Sequence, residues 1–225
     1  MSRKIRGIFL ITLGLLMSVS AAVIFARYEY QAEIAGANAE ILLDALEAQI
    51  QQRVESSRHS PAKQENPTAE LPKTTIQPEA SERPQATLEG YELVGIVRVP
   101  SLGLELPVLD SWDYDLLKIA PCRYSGSTET GDLILLAHNY ERHFGTLKKA
   151  QIGTEVEFCD VNGTVYRYEI AAAEILKKTE LDRLTSSDYD LTLFTCTNGG
   201  YSRYVVRCTQ VSAPIEAGTP APGVL

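Results

Sequence analysis

Residues 7–26 contain no charged side chain, and this run limits what the rest of the chain can be. As a helix rising about 1.5 Å per residue it spans about 30 Å, the hydrocarbon thickness of a bilayer. Arg3, Lys4 and Arg6 precede it. By the positive-inside rule this basic tip stays cytoplasmic and the remainder lies outside the cell membrane. A cleaved leader would have a shorter apolar core of about 7–15 residues, ending at a small-x-small site. Val19-Ser20-Ala21 has that form, but the apolar run continues through Val23, Ile24 and Phe25. That continuation favours a retained single-pass anchor over residues 1–27.

Residues 28–58 are polar and helical in pattern. Leu42, Leu46, Ile50 and Val54 recur every four residues and form one apolar stripe. The stripe admits two readings: a coiled-coil seam making a stalk-mediated dimer, or a face that packs on the chain's own domain or the membrane surface. Heptad spacing is not sustained, which weakens the first. Residues 59–90 carry Pro61, Pro67, Pro72, Pro78 and Pro84 among Ser, Thr, Gln and Glu. Such a segment buries too little apolar surface to offset its ordering entropy and reads as a flexible, semi-stiff linker. The folded domain is expected over 91–213, followed by a disordered tail at 214–225.

Within 91–213 the pattern turns to β. Residues 93–99 and 104–109 form strands divided by Pro100 and Gly103. Residues 132–137 are nearly all apolar, as expected for a strand buried on both faces. Residues 155–160 and 165–170 flank Asn162-Gly163, a strong hairpin signal. Residues 191–196 and 203–211 complete the set. Helical material is short, near 112–119, 145–150 and 181–186. Many short strands at this spacing indicate a mainly β domain, a closed barrel or a sandwich. The net charge of −8 and the lack of a Lys/Arg cluster argue against a nucleic-acid partner. Four cysteines are too few for a disulfide scaffold.

The chemistry concentrates at strand ends. Cys196 closes one strand and Arg203 opens the next, so a hairpin sets a nucleophile beside a permanent cation. A thiol attacks only as thiolate and needs an acid/base partner. His59 falls in the linker and His143 in a loop, whereas His138 follows the buried strand directly. If the two strands are parallel neighbours, His138 and Cys196 emerge at the same mouth. Arg207 has the parity of Arg203 but lies about 14 Å further along at about 3.4 Å per residue, so geometry prefers Arg203. Singly, each residue is ordinary: a small buried hydrophobe, a hydrogen-bonded histidine, a solvated edge charge. Their convergence is not. Cys159 and Cys208 both fall in strands and admit a disulfide, Cys122 has no evident partner, and no spacing suits zinc.

Thr192-Leu193-Phe194-Thr195-Cys196 followed by Arg203-Tyr204-Val205-Val206-Arg207 resembles the signature of the sortases. Residues 131–139, ending Ala137-His138-Asn139, resemble the family's histidine strand, and 95–108 resemble its opening strands. Ala137 stands where many members have Gly. The likeness is to class B or D members, with the short Cys-to-Arg loop leaving the subclass open. It implies a closed eight-stranded β-barrel with short helices and a cysteine transpeptidase on a Gram-positive cell surface. Cys196 would cleave an LPxTG-like sorting signal through a thioester, with His138 as general acid/base and Arg203 holding substrate or oxyanion. Without an amine acceptor the enzyme would act as a hydrolase. Thr195 would help line the substrate site, and residues 173–190 would wall the sorting-signal pocket. The partners implied are secreted proteins bearing that signal and an amine from a peptidoglycan precursor or a pilin lysine; no cofactor is implied. An L,D-transpeptidase would place its cysteine in a His-Gly-Cys setting, which this chain lacks. A non-catalytic surface domain would leave the three residues scattered.

Overall fold

The computed structural model describes residues 3–59, 85–186, 188–197 and 199–216. Most of the proline-rich linker and the end of the tail lie outside the described residues.

Nine strands form one sheet: β1 (Ala86–Leu88), β2 (Tyr91–Val99), β3 (Leu104–Leu109), β4 (Cys122–Ser125), β5 (Leu133–Ala137), β6 (Glu155–Asp160), β7 (Val165–Lys177), β8 (Leu191–Cys196) and β9 (Ser202–Gln210). The order is β1-β2-β3-β4-β5-β8-β9-β7-β6, and β6 returns to pair with β2. Strands β2 to β9 are therefore a closed eight-stranded barrel, as the resemblance implies. β1 is an added strand on β2, contributed by residues expected in the linker. β3–β4 and β5–β8 are parallel, and the other pairs are antiparallel.

The apolar run at 132–137 has the expected explanation. Leu133, Leu135 and Ala137 point into a cluster that fills the barrel with Val97, Leu106, Phe158, Leu193 and Val206. Ile134 and Leu136 join a second cluster on the outer surface with Ile96, Phe194 and Val205. β5 is thus buried on both faces. The outer layer is roofed by helix α1 (Arg3–His59), one continuous helix of 57 residues. Its first half is long and apolar enough to cross a membrane.

The second half of α1 settles what its stripe does. Leu42, Leu46 and Ile50 are buried with Ala35 and Ala39, and the helix packs on β1 and β3. Arg98 of β2 pairs with Glu47 at 2.7 Å, and Arg53 donates to the carbonyl oxygens of Val161 and Gln85. The stripe is therefore covered by the chain's own barrel and is not free to serve as a coiled-coil seam.

β7 runs thirteen residues, further than the six expected. Its last half pairs with β9 from Ala172↔Arg207 to Lys177↔Ser202, past a bulge after Ile170. Helix α2 (Leu181–Thr185) then turns back over the outer face, burying Leu184 against Leu176. Beyond the barrel, Ile215 bridges to Val165, so the start of the expected tail lies on the sheet. Cys159 and Cys208 are unbridged and sit in different layers, Cys159 outside and Cys208 inside the barrel.

Candidate active site

β5 and β8 run parallel, and their last paired residues are Ala137 and Thr195. The next residue on β5 is His138 and the next on β8 is Cys196. Adjacent strands lie about 4.8 Å apart, so the two emerge side by side at one end of the barrel. On the other side of β8, Cys196 is directly opposite Arg203 of β9. The hairpin between them is closed by the Thr197 N–H donating to Ser202 O at 3.0 Å. The register therefore brings the backbones of all three residues predicted to carry chemistry to the same end of the barrel.

Alternation fixes where that place faces. Leu193 and Val206 point inward while Phe194 and Val205 point outward, so Cys196 and Arg203 share the outer face at the rim. Cys196 is half-buried, whereas Cys122, Cys159 and Cys208 are buried. Burial pushes the Cys122 and Cys208 thiols up to about 12, which makes them poor nucleophiles. Beside Cys196 opens a cavity of about 290 Å³, lined by Asn139, Phe144, Gly145, Lys148, Thr195, Thr197 and Tyr204.

His138 is half-buried and stacks on Tyr140, with ring centroids 4.6 Å apart and 21° between planes. Burial lowers its pKa below the ordinary imidazole value, and the Lys118 ammonium lowers it further. A neutral imidazole is thereby favoured near neutral pH, and it can accept a thiol proton and return it. Arg203 Nη1 donates to Gly200 O at 3.1 Å and Ser202 O at 3.2 Å, carbonyls of its own hairpin. Arg207 is a different case. It is 2 % exposed, pairs with Glu174, and donates to Thr192 Oγ1 and to the carbonyls of Arg183 and Leu184. Among the described residues no cluster of His, Cys, Asp and Glu is placed to hold a metal ion.

Residues 173–190 contribute nothing to the cavity beside Cys196. Their first part is the end of β7, which reaches the rim with Leu176 opposite Arg203 and Lys177 opposite Ser202, and α2 covers Arg207. The wall comes from the 3₁₀ segment Phe144–Lys149. Thr195 does line the cavity, but its hydroxyl donates to Ala137 O at 2.8 Å, tying the two strand ends together. Sequence pattern marks the cavity-lining residues between 139 and 148 only weakly. Their one local signal is Gly145: a Cβ there would lie 2.4 Å from Asn139 O, so only glycine lets the turn fold back against the His138 loop.

The fold and the rim have a counterpart among known proteins. A profile described as the Sortase domain matches residues 97–211, just over half of the chain. The chain belongs to the sortase family. Sortase C-3 from Streptococcus pneumoniae is 19% identical, covers 84% of this chain and 94% of its own, and superposes with a TM-score of 0.53. A Clostridium perfringens sortase D5 transpeptidase is 20% identical over 53% of this chain and 79% of its own, with a TM-score of 0.47. Sortase C1 from Streptococcus agalactiae is 25% identical over 53% of this chain and 67% of its own, also at 0.47. No curated protein matches the chain. The family is one of cysteine transpeptidases, and the pneumococcal structure shares this sortase's barrel.

Proposed function

We propose that this sortase cleaves an LPxTG-like sorting signal and transfers the freed acyl group to an amine. The observation that carries this reading is the register: Cys196 opposite Arg203, and His138 one step beyond the last β5–β8 pair. Cys196 Sγ attacks the scissile carbonyl carbon, and Arg203 turns from its hairpin carbonyls to donate to the developing oxyanion. As the C–N bond breaks, the leaving amine takes the proton that His138 received from the thiol. An amine from a peptidoglycan precursor or a pilin lysine then attacks the thioester, and the thiol is restored. Water in place of the amine gives hydrolysis. Thr195 and the cavity beside Cys196 contribute to holding the signal. The anchor at residues 1–27, the stalk at 28–58, the linker at 59–90, the catalytic barrel at 91–213 and the tail at 214–225 place the site outside the cell membrane. There it reaches secreted substrates.

The test is mass spectrometry of the full chain in detergent, incubated with LPxTG-type peptides. A mass adduct on Cys196 that hydroxylamine releases is expected, and none in Cys196→Ala. Absence of any adduct across the peptide set, with Cys196→Ala behaving as the parent chain, would sink the reading.

A further inference from the structure

Helix α1 touches the loop that carries His138, well away from the stripe that docks it on the barrel. Tyr28, Ala35 and Leu42 are spaced by seven and so lie along one side of the helix. Leu42 packs on the barrel, while Tyr28 reaches the loop at residues 138–145. Its ring meets Tyr140 edge-on, with centroids 5.4 Å apart and 66° between planes. Its hydroxyl donates to Asn139 O at 3.4 Å. Tyr140 in turn is buried and stacks on the His138 imidazole. A ring-on-ring relay therefore runs from the helix to His138.

The same loop is held to α1 a second time. Arg142 pairs with Glu33 at 3.2 Å and with Glu40. It lies so close to the helix that a Cβ on Gly36 would fall 2.2 Å from its Nε. Between these contacts the loop is knit internally, Phe144 N–H donating to His138 O and Gly145 N–H to Tyr140 O. The loop is thus rigid within itself and clamped from outside by one element.

We propose that Tyr28, acting through Tyr140, is a positioning residue for the His138 imidazole, so that helix α1 is part of the working site. This rests on His138 being the acid/base group of the proposed reaction. A stacked neighbour fixes the plane of an imidazole, and the edge contact from Tyr28 fixes that neighbour. Tyr28 also follows the apolar run by only two residues, about 3 Å along the axis. Orientation of His138 is thereby coupled to the seating of the segment just outside the anchor.

The experiment uses the full chain in detergent micelles with labelled histidines. There are three histidines, so His138→Gln identifies the His138 resonance. Tyr28→Ala is expected to shift that resonance and Tyr28→Phe to shift it less. Tyr30→Ala, an exposed change on the same helix, is expected to leave it in place. In parallel, iodoacetamide alkylation is followed at Cys196 by peptide mass spectrometry. Tyr28→Ala should slow it about tenfold, less than the roughly 10²-fold that a full 1 Å misplacement can cost. An unmoved His138 resonance in Tyr28→Ala overturns the proposal. A His138→Ala chain that alkylates at the parent rate instead overturns the acid/base reading, while the resonance still decides what Tyr28 does.

Discussion

Cys196 and Arg203 face each other at the rim of the β8–β9 ladder, and Thr192 and Arg207 face each other four residues further in. The chemistry of the two pairs is alike, a small polar side chain opposite a guanidinium on the same outer face. Their surroundings are opposite. Arg207 lies under α2, with Glu174, Thr192 and two backbone carbonyls satisfying its fork. Arg203 has carbonyls of a turn, reached through Nη1 alone among the described residues. What separates a structural arginine from a candidate functional one is neither residue type nor strand parity. It is whether the connection between β7 and β8 roofs the position.

Removing the buried partner should have the larger effect on folding. Arg207→Ala leaves the carbonyls of Arg183 and Leu184 without their donor under α2, while Glu174 keeps Arg183 as a partner. A buried acceptor left unpaired costs about 1–3 kcal/mol, and urea unfolding of the full chain in detergent should show the loss from these two. A loss under 1 kcal/mol would mean that α2 moves aside and the two pairs are alike after all. Arg207→Lys should fall between, because an ammonium cannot reproduce the planar fork. At the rim the signature inverts. Arg203→Ala should lower the turnover rate about 10²- to 10³-fold, as loss of one oxyanion donor does, while unfolding midpoints barely move. Equal stability losses at 203 and 207 with turnover retained would erase the contrast.

The histidines repeat the contrast between rim and interior. His138 is half-buried at the rim, whereas His143 is fully buried, with the backbone of Ala35 in α1 beside its ring. Burial pushes the His143 imidazole down to about 4; a backbone hydrogen bond at Ala35 opposes the fall, and neighbouring His138 and Arg142 add to it. The unfolded chain takes up a proton near pH 6.5, and the folded chain resists until about pH 4. Stability attributable to His143 is therefore intact above about pH 6.5 and is lost as pH falls, reaching about 3 kcal/mol at pH 4. His143→Leu should flatten that slope when unfolding is measured from pH 7 to pH 4. An unchanged slope would mean that the Ala35 backbone or water offsets the burial of His143.

Much of the rim could be read from the residues because it depends on local pattern. A near-continuous apolar run at 133–137 requires burial on both faces, and a strand so buried pairs in the barrel's interior order. From that, His138 and Cys196 emerge together. The position of α1 and the course of β7 could not be read in the same way. The Leu42-Leu46-Ile50 stripe shows that a face must be covered but not by what, since that choice is made by residues far along the chain. The second half of β7 alternates exposed and half-buried positions around Ala171-Ala172-Ala173, and small side chains carry little strand signal. Its pairing with β9 and the bulge after Ile170 hold it in the sheet. For the same reason residues 171–177 read as loop, whereas they continue β7 up to the rim, where Leu176 pairs with Arg203 and Lys177 with Ser202.

Thr195 offers the smallest effect and the finest test of how the rim is held. Its hydroxyl has one proton, and that proton already goes to Ala137 O, the carbonyl just before His138. Thr195→Val keeps the shape and removes the bond, so no cavity is created, and the expected loss of stability is about 1 kcal/mol. The rate should also fall, severalfold, because the end of β5 is then tied to β8 by backbone pairing alone. Thr195→Ser separates two explanations. It keeps the hydroxyl and removes the methyl that borders the cavity beside Cys196. If the serine chain matches the parent in stability and KM, the threonine serves the rim through Ala137. If stability holds but KM rises, the methyl touches substrate, and Thr195 belongs with Cys196 rather than with the buried interior of β8.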